Sequence, residues 1–320
     1  MACWGDVTTK RVLVTGASGF IGRPLVAALL RAGYAVRAAV RRPVSFPNSV
    51  DVVIVPDLKN PIDWNPILQG VDIVVHVAGL AHVDQHEVAF GDHDQINWIA
   101  TLFLANAAKK MGIKHFVYIS SVRAQVGPSA AQPVNEQDRP HPTDHYGRSK
   151  LAAEWAIQAS RIPFTILRPT VVYGPHPKRN IRTLVRLASL PLPLPFRGFN
   201  NRRSLLGIDN LIATILFVLN NPATVGETFL VADRLPATLP EIITILREAQ
   251  GRRPGLVYVP PSLLRLALLL SGHTHFWWRI SEGLVVDTSK LESLGWRPAF
   301  DTYEGLVAMM RTEDGENAQQ

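Results

Sequence analysis

Apolar positions along the first half of the chain follow two alternating rhythms. Short runs of β-branched and aliphatic residues, RVLVT (Arg11 to Thr15), AVRAAV (Ala35 to Val40), VVIV (Val52 to Val55), DIVVHVA (Asp72 to Ala78), HFVYIS (His115 to Ser120) and FTILRP (Phe164 to Pro169), predict six buried strands. Between them, PLVAALLRAG (Pro24 to Gly33), INWIATLFLANAAKKMG (96–112) and the stretch from Tyr146 through KLAAEWAIQA carry apolar residues at helical spacing. The first of these helices has Pro near its start and Gly at its end. A later run, ETFLVA (Glu227 to Ala232), predicts one more strand. Strands alternating with helices imply parallel pairing through right-handed crossovers, hence an α/β chain with a doubly wound sheet.

After Pro169 the rhythm breaks. PHPKRN, SLPLPLPFRGFNNRR and VYVPPS are proline-rich and irregular. They predict a smaller, interleaved C-terminal cap that binds substrate. The expected boundaries are 1–170 for the core, with a return near 205–234, then 171–204 and 235–312 for the cap, and a polar, frayed tail over 313–320. The most apolar helical stretch, SLLRLALLLSG (Ser262 to Gly272), is too short to span a bilayer and contains Arg265, so it is expected to be a packed helix.

Composition narrows the class. The chain has 320 residues, 47% hydrophobic and 18% charged, which excludes a disordered protein. Its formal charge is +7, but no lysine/arginine run is long enough for a nucleic-acid arm, so phosphorylated small molecules are the expected anionic partners. Cys3 is the single cysteine, so no intrachain disulfide forms. That fits a reducing compartment, and a cytoplasmic location is expected, with no signal peptide before the first strand and no transmembrane segment.

Candidate chemistry begins in VTGASGFIG, between the first strand and the first helix. Gly16, Gly19 and Gly22 allow a tight turn and close backbone approach to a pyrophosphate at a helix N-terminus, and Ser18, Phe20 and Ile21 complete the loop. An NAD site usually has an acid closing the second strand. Here Arg41 and Arg42 follow Val40, which favours the 2′-phosphate of NADP over NAD. Asp57, after the third strand, is a candidate for the adenine edge, and Leu58 beside it and Pro169, which ends the sixth strand, are further candidate cofactor contacts.

Further on, Tyr146 precedes Lys150 by four residues, one helical turn on one face. A free tyrosine ionises near pH ~10. A neighbouring ammonium stabilises the phenolate and brings it into acid/base range. Ser121, at the C-terminal end of the fifth strand, can hold the reacting oxygen.

Together these segments resemble an extended short-chain dehydrogenase/reductase of the NAD-dependent epimerase/dehydratase family, over nearly the whole chain. TGASGFIG is similar to the family's cofactor loop and VVHVAG, with Val77, Ala78 and Gly79, to its fourth-strand motif. Asn97 in INWIAT resembles the asparagine of its N-x-x-G-T helix, with Ala100 where glycine is usual. YISS and YGRSK resemble its catalytic segments, LRPTVVYGP its sixth-strand signature, RRSLLGIDNL its substrate motif and VDTSKLESLGWRP its C-terminal signature. The resemblance implies a Rossmann-type core, a nucleotide diphosphate sugar as substrate and a homodimer. It implies catalytic roles for Ser121, Tyr146, Lys150 and Asn97, a diphosphate contact for Arg203, and contacts at the nucleotide end for Asn180 and Arg279.

It also separates the reactions. Family dehydratases carry Asp-Glu after the catalytic Thr or Ser, where this chain has Val122 and Arg123, so dehydration ranks low. A 4-keto reductase is favoured by the arginines that suit NADPH, and a 4-epimerase with tightly held NAD is the alternative. YAVRAAVRRP also resembles the NADPH loop of dihydroflavonol-type reductases, which keeps a non-sugar ketone open. A non-catalytic NAD(P)-sensing protein would usually lack Tyr146 or Lys150. Val171 and Gly207 depart from the asparagine and histidine common in sugar-nucleotide members. No metal site is expected: His76, His82, His86 and His93 read as loop and strand-end histidines, Trp277 and Trp278 as cap packing, and Glu136, Asp138 and Asp144 as solvated.

Overall fold

The computed structural model describes residues 9–80, 91–177, 179–272 and 274–317, with the side chains of residues 179, 275, 276, 278 and 312–317, and of Asn180 and Arg279, outside that description. The chain forms two compact units. The first comprises Met1–Gly127, Arg139–Arg168 and Thr214–Phe229; the second comprises Pro128–Asp138, Pro169–Ala213 and Leu230–Gln320.

The first unit is built on β1 (Arg11–Thr15), α1 (Gly22–Arg31), β2 (Ala35–Val40), β3 (Val50–Ile54), the short α2 (Asn65–Leu68) and β4 (Ile73–His76). A π-helical stretch, Asp94–Ile99, runs directly into α3 (Ala100–Lys110), followed by β5 (His115–Ile119), α4 (Val122–Gln125), α5 (His145–Ser160) and β6 (Phe164–Pro169). The later α7 (Ile208–Asn220) and β10 (Glu227–Val231) belong to it in part, through Thr214–Phe229. The sheet order is β10-β6-β5-β4-β1-β2-β3. Every pair from β3 to β6 is parallel. The order reverses between β1 and β4, which is where doubly wound sheets hold their ligands, outside the strand C-termini.

The interior strands are apolar on both faces because helices cover both. Leu13, Leu104, Phe116, Ile157 and Ile166 pack into one core at no measurable exposure. The third strand starts at Val50, two residues before the expected run, because its register is set by pairing with β2. As an edge strand it leaves Val52 and Ile54 exposed. Beneath β6 lies a buried ion pair. Arg168 donates from Nε to Glu154 Oε1 at 3.0 Å, and its guanidinium also reaches Gln125 Oε1. Ser120 Oγ donates to the same carboxylate.

The second unit carries β7 (Val171–Tyr173), α6 (Arg179–Ala188), β8 (Arg202–Arg203), β9 (Leu205–Gly207) and β11 (Ala237–Thr238). Its helices continue with α8 (Leu239–Ala249), α9 (Pro261–Leu270), α10 (Thr274–Ser281), α11 (Ser289–Ser293) and α12 (Thr302–Asn317). Two small sheets form, β7 with β9 and β8 with β11. Thr238 starts α8 with a reciprocal capping box to Glu241. Trp277 packs with Leu264 and Leu268 onto Phe196, Phe199 and Ile280, in line with the cap packing expected of it, while the side chain of Trp278 lies outside the described residues. The apolar stretch at 262–272 departs from expectation. It forms α9, but Leu263, Leu266, Leu269 and Leu270 face outward and no residue of the helix is fully buried.

Candidate active site

The loop after β1 is shaped by its glycines. Gly16 has φ +68°, and a Cβ there would stand 2.9 Å from the backbone of Ala78. A Cβ on Gly22 would fall 2.1 Å from the carbonyl oxygen of Gly16. The turn closes through Gly19 N–H to Gly16 O at 2.9 Å. Ser18 and Gly19 are exposed, and the N-terminus of α1 follows with no side-chain cap at Ile21. Bare backbone N–H groups at a helix start suit a pyrophosphate, so this cradle fits a dinucleotide. At the end of β2, Arg41 is 71% exposed and donates to Asp57 Oδ2 at 3.0 Å. Asp57 is held below the usual carboxylate range, chiefly by the N–H of Lys59 and then by Arg41. Arg42 is exposed beside it. Leu58 is buried in the core beneath.

The proton-bearing groups stand at the C-terminal end of β5 and the start of α5. Asp144 caps α5, accepting from Gly147 N–H at 2.6 Å, and binds the guanidinium of Arg123. Gly147 is required here, because a Cβ would lie 2.2 Å from Arg123 O. Tyr146 and Lys150 follow one turn apart. Burial pushes the Tyr146 phenol up to about 12, with Asp144 raising it further; a hydrogen bond with Ser121 and the charge of Arg123 oppose the rise. Burial pulls the Lys150 ammonium down to about 8, against the charge of Glu154. Its Nζ donates to Ile119 O at 3.0 Å and sits 4.8 Å from the centre of the Tyr118 ring. Ser121 caps α4, accepting from Arg123 N–H at 3.2 Å.

Asn97 joins this group from the π-helical stretch. Its Oδ1 accepts from Leu80 N–H at 2.7 Å, and its Nδ2 donates to Leu80 O at 3.0 Å and Ser149 Oγ at 3.1 Å. Gly79 lies between, where a Cβ would come within 2.9 Å of Asn97 Oδ1 and 3.1 Å of Lys150 Nζ. Backbone stripped to glycine therefore faces both the amide and the ammonium.

The sequence matches the NAD dependent epimerase/dehydratase family over residues 12–232. A UDP-glucose 4-epimerase of Vibrio cholerae is 34% identical over 315 residues, covering 95% of this chain and 96% of that protein. The chain belongs to this family. A ceramide reductase of Caulobacter vibrioides is 28% identical over 81% of this chain and 77% of its own. Among solved structures, MoeE5 in complex with UDP-glucuronic acid and NAD superposes with a TM-score of 0.77 at 25% identity, covering 96% of this chain and 99% of that one. The protein is thus an extended short-chain dehydrogenase/reductase, an enzyme of the NAD(P)-dependent oxidoreductase/epimerase type with the Rossmann-type sheet described above.

Behind these strand ends lies a buried hydrogen-bonded chain that sequence reasoning missed. Thr101 Oγ1 donates to Asn97 O at 2.6 Å, so it must accept from His76 Nε2 at 2.9 Å. The other ring nitrogen, Nδ1, then accepts from Thr15 Oγ1 at 2.6 Å, and Thr15 Oγ1 accepts from Ala78 N–H at 3.2 Å. One neutral tautomer of His76 satisfies every bond, and complete burial holds its pKa down at about 3. His76 is thus a strand-end histidine, as expected. The ring of His93 lies 5.9 Å from that of Tyr146. His82 and His86 lie outside the described residues, among which no cluster of metal-ligating side chains occurs. Of the three acids read as solvated, Asp144 is the α5 cap, Glu136 is partly buried and accepts from Leu230 N–H at 2.7 Å, and Asp138 is exposed.

Val77 and Ala78 are half-buried after β4, and Pro169 is buried at the end of β6. Arg203 lies in the second unit, where its guanidinium donates to the carbonyls of Glu282 and Ile280 and burial lowers its pKa. Asn180 lies in the first turn of α6 and Arg279 in α10.

Proposed function

We propose that the enzyme transfers a hydride at C4 of a nucleotide diphosphate sugar, acting as an NADPH-dependent 4-keto reductase. The observation carrying the cofactor choice is the end of β2, where exposed Arg41 and Arg42 stand in place of the acid that would bond a ribose 2′-hydroxyl. The bound dinucleotide supplies the hydride to the carbonyl carbon. Ser121 holds the carbonyl oxygen, and Tyr146 gives that oxygen its phenolic proton, so that C=O becomes CH–OH. The phenol sits near 12 when buried, too high for this work alone. Lys150, at about 8 and close to half-charged near that pH, offsets the phenolate as it forms. Asn97 fixes Leu80 and Ser149 around it.

The similarity to a UDP-glucose 4-epimerase over nearly the whole chain supports a second reading. In it the same three residues take the proton of the C4 hydroxyl and return it after the keto sugar has turned over, and a retained NAD would accept the C4 hydride and give it back to the other face. Purified enzyme with NADPH and a UDP-4-keto-6-deoxyhexosamine distinguishes the two. Loss of NADPH absorbance with formation of the 4-hydroxy sugar supports the reductase. Conversion of a UDP-hexose without added cofactor, and no NADPH oxidation, supports the epimerase. Arg41→Ser should weaken NADPH binding about tenfold or more and leave NADH unaffected, as for loss of a hydrogen bond to a charged group. Phe103 on α3 and Trp155 on α5, exposed on two helices that pack together, support the homodimer implied by the family.

A further inference from the structure

The positive charge of this chain is concentrated. Segments 174–208 and 249–281 contain 11 lysines and arginines and no aspartate or glutamate. The remaining 22 basic and 26 acidic side chains leave the rest of the molecule at −4, so the whole +7 originates in these two segments. Both belong to the second unit.

They are tied together there. Buried Arg247 donates to the carbonyls of Leu190 and Leu192 on one side and of Pro254 and Gly255 on the other. Leu194 N–H bonds Gly255 O at 2.9 Å, and Val257 N–H bonds Leu194 O at 3.0 Å. Helix α9 follows and seats itself on this base through Leu264 and Leu268, packed with Leu194, Phe196 and Phe199. Its opposite face presents Leu263, Leu266 and Leu270 at helical spacing, exposed by 57%, 52% and 82%. Leu192 and Tyr258 on the joined loops are 63% and 66% exposed. Arg197, Arg252, Arg253 and Arg265 are exposed around them. The outcome is an apolar ridge with exposed cations on the same loops and helix.

We propose that this face docks on an anionic phospholipid bilayer, with α9 lying in the interface, its leucines at the acyl boundary and the arginines on headgroup phosphates. An interfacial helix needs one apolar face and cationic flanks, and anionic lipid attracts each nearby arginine. Among the described residues no helix is long and apolar enough to cross a membrane, so the contact is peripheral. A second copy suits the face less well, since two such surfaces would bring like charges together. A polyphosphate would satisfy the arginines but leave the leucines in water. The inference does not depend on which reaction the enzyme catalyses.

The test is flotation of the full-length protein with vesicles of phosphatidylcholine alone, or of phosphatidylcholine with phosphatidylglycerol, at low and high salt. The protein should float with the phosphatidylglycerol vesicles, much less so at high salt, and not with phosphatidylcholine alone. The double variant Leu266→Glu/Leu270→Glu should lower partitioning about tenfold or more, with melting temperature and hydride transfer unchanged. The Arg252→Glu/Arg253→Glu variant should weaken it as well, which separates a charge-assisted contact from nonspecific stickiness. The proposal is overturned if the wild type stays with the soluble fraction, or if the leucine variant floats equally well. It is also overturned if the leucine variant abolishes only self-association in sedimentation velocity, or only binding to polyglutamate.

Discussion

Helices α5 and α9 invert the usual relation between hydropathy and burial. HYGRSKLAAEWAIQAS contains charged and polar residues on every turn, yet Ser149, Lys150 and Glu154 are buried within it. PSLLRLALLL contains one charge, yet has no buried residue. The difference lies in what each polar group meets. Along α5 every buried polar side chain named above has a partner: Lys150 the carbonyl of Ile119, Ser149 the amide of Asn97, and Glu154 the guanidinium of Arg168. Burial of such groups is tolerable only with those partners. Along α9 there is no polar demand to satisfy, and only Leu264 and Leu268 are needed to hold the helix down. Polar residues drawn inward need partners that the fold must supply, whereas the outward leucines of α9 need none from the fold and form the face proposed above to meet a bilayer.

Substitutions on the two helices sharpen this contrast. The largest effect is expected at Tyr146. Removing its hydroxyl in Tyr146→Phe should lower kcat by about 10²–10⁴-fold, the range for a lost general acid, with the melting temperature near wild type; steady-state kinetics and thermal denaturation measure both. Next comes Glu154→Leu, which leaves Arg168 buried without its counter-ion. It should destabilise the first unit by about 3–5 kcal/mol in urea titration, and a near-neutral result would mean that the pair is dispensable.

A smaller, pH-dependent effect is expected from His76. Its folded pKa is about 3 against 6.5 for an unperturbed histidine. Between those values the unfolded chain binds a proton that the folded chain refuses, so stability falls as pH drops from 6.5 towards 3. His76→Gln should flatten that part of the stability–pH curve while being less stable at neutral pH. The smallest effect belongs to α9: Leu266→Glu should change stability by no more than about 0.5 kcal/mol, as for an exposed site. A loss of several kcal/mol would show that the face is packed in solution and break the comparison.

The glycine loop and the Tyr146–Lys150 spacing were legible in the sequence because each demands particular residue types at fixed short intervals on consecutive elements. Gly16 and Gly22 admit no Cβ, and that constraint shows directly as glycine. The Thr15–His76–Thr101 chain was not legible, since it joins residues 61 and 25 positions apart that meet only once β1 pairs with β4 and the start of α3 reaches the end of β4. The π-helical turn that aims Asn97 left no mark on an apolar pattern read at α-helical spacing. Glu154 could have been found: it lies four residues beyond Lys150, on the same face of the same helix. Asp144, directly before Tyr146's helix, is a preferred cap residue and could also have been read. The exposure of α9 could not, because hydropathy at that spacing predicts an apolar face but not what covers it.

The most direct measurement is isotope transfer. The enzyme is given a UDP-4-keto-6-deoxyhexosamine and NADPH deuterated at the transferring position of the nicotinamide, and the sugar product is analysed by mass spectrometry. The wild type is predicted to place deuterium on sugar carbon 4, and Tyr146→Phe to place almost none. Deuterium absent from the wild-type product, or equally present with Tyr146→Phe, would contradict hydride transfer assisted by this phenol.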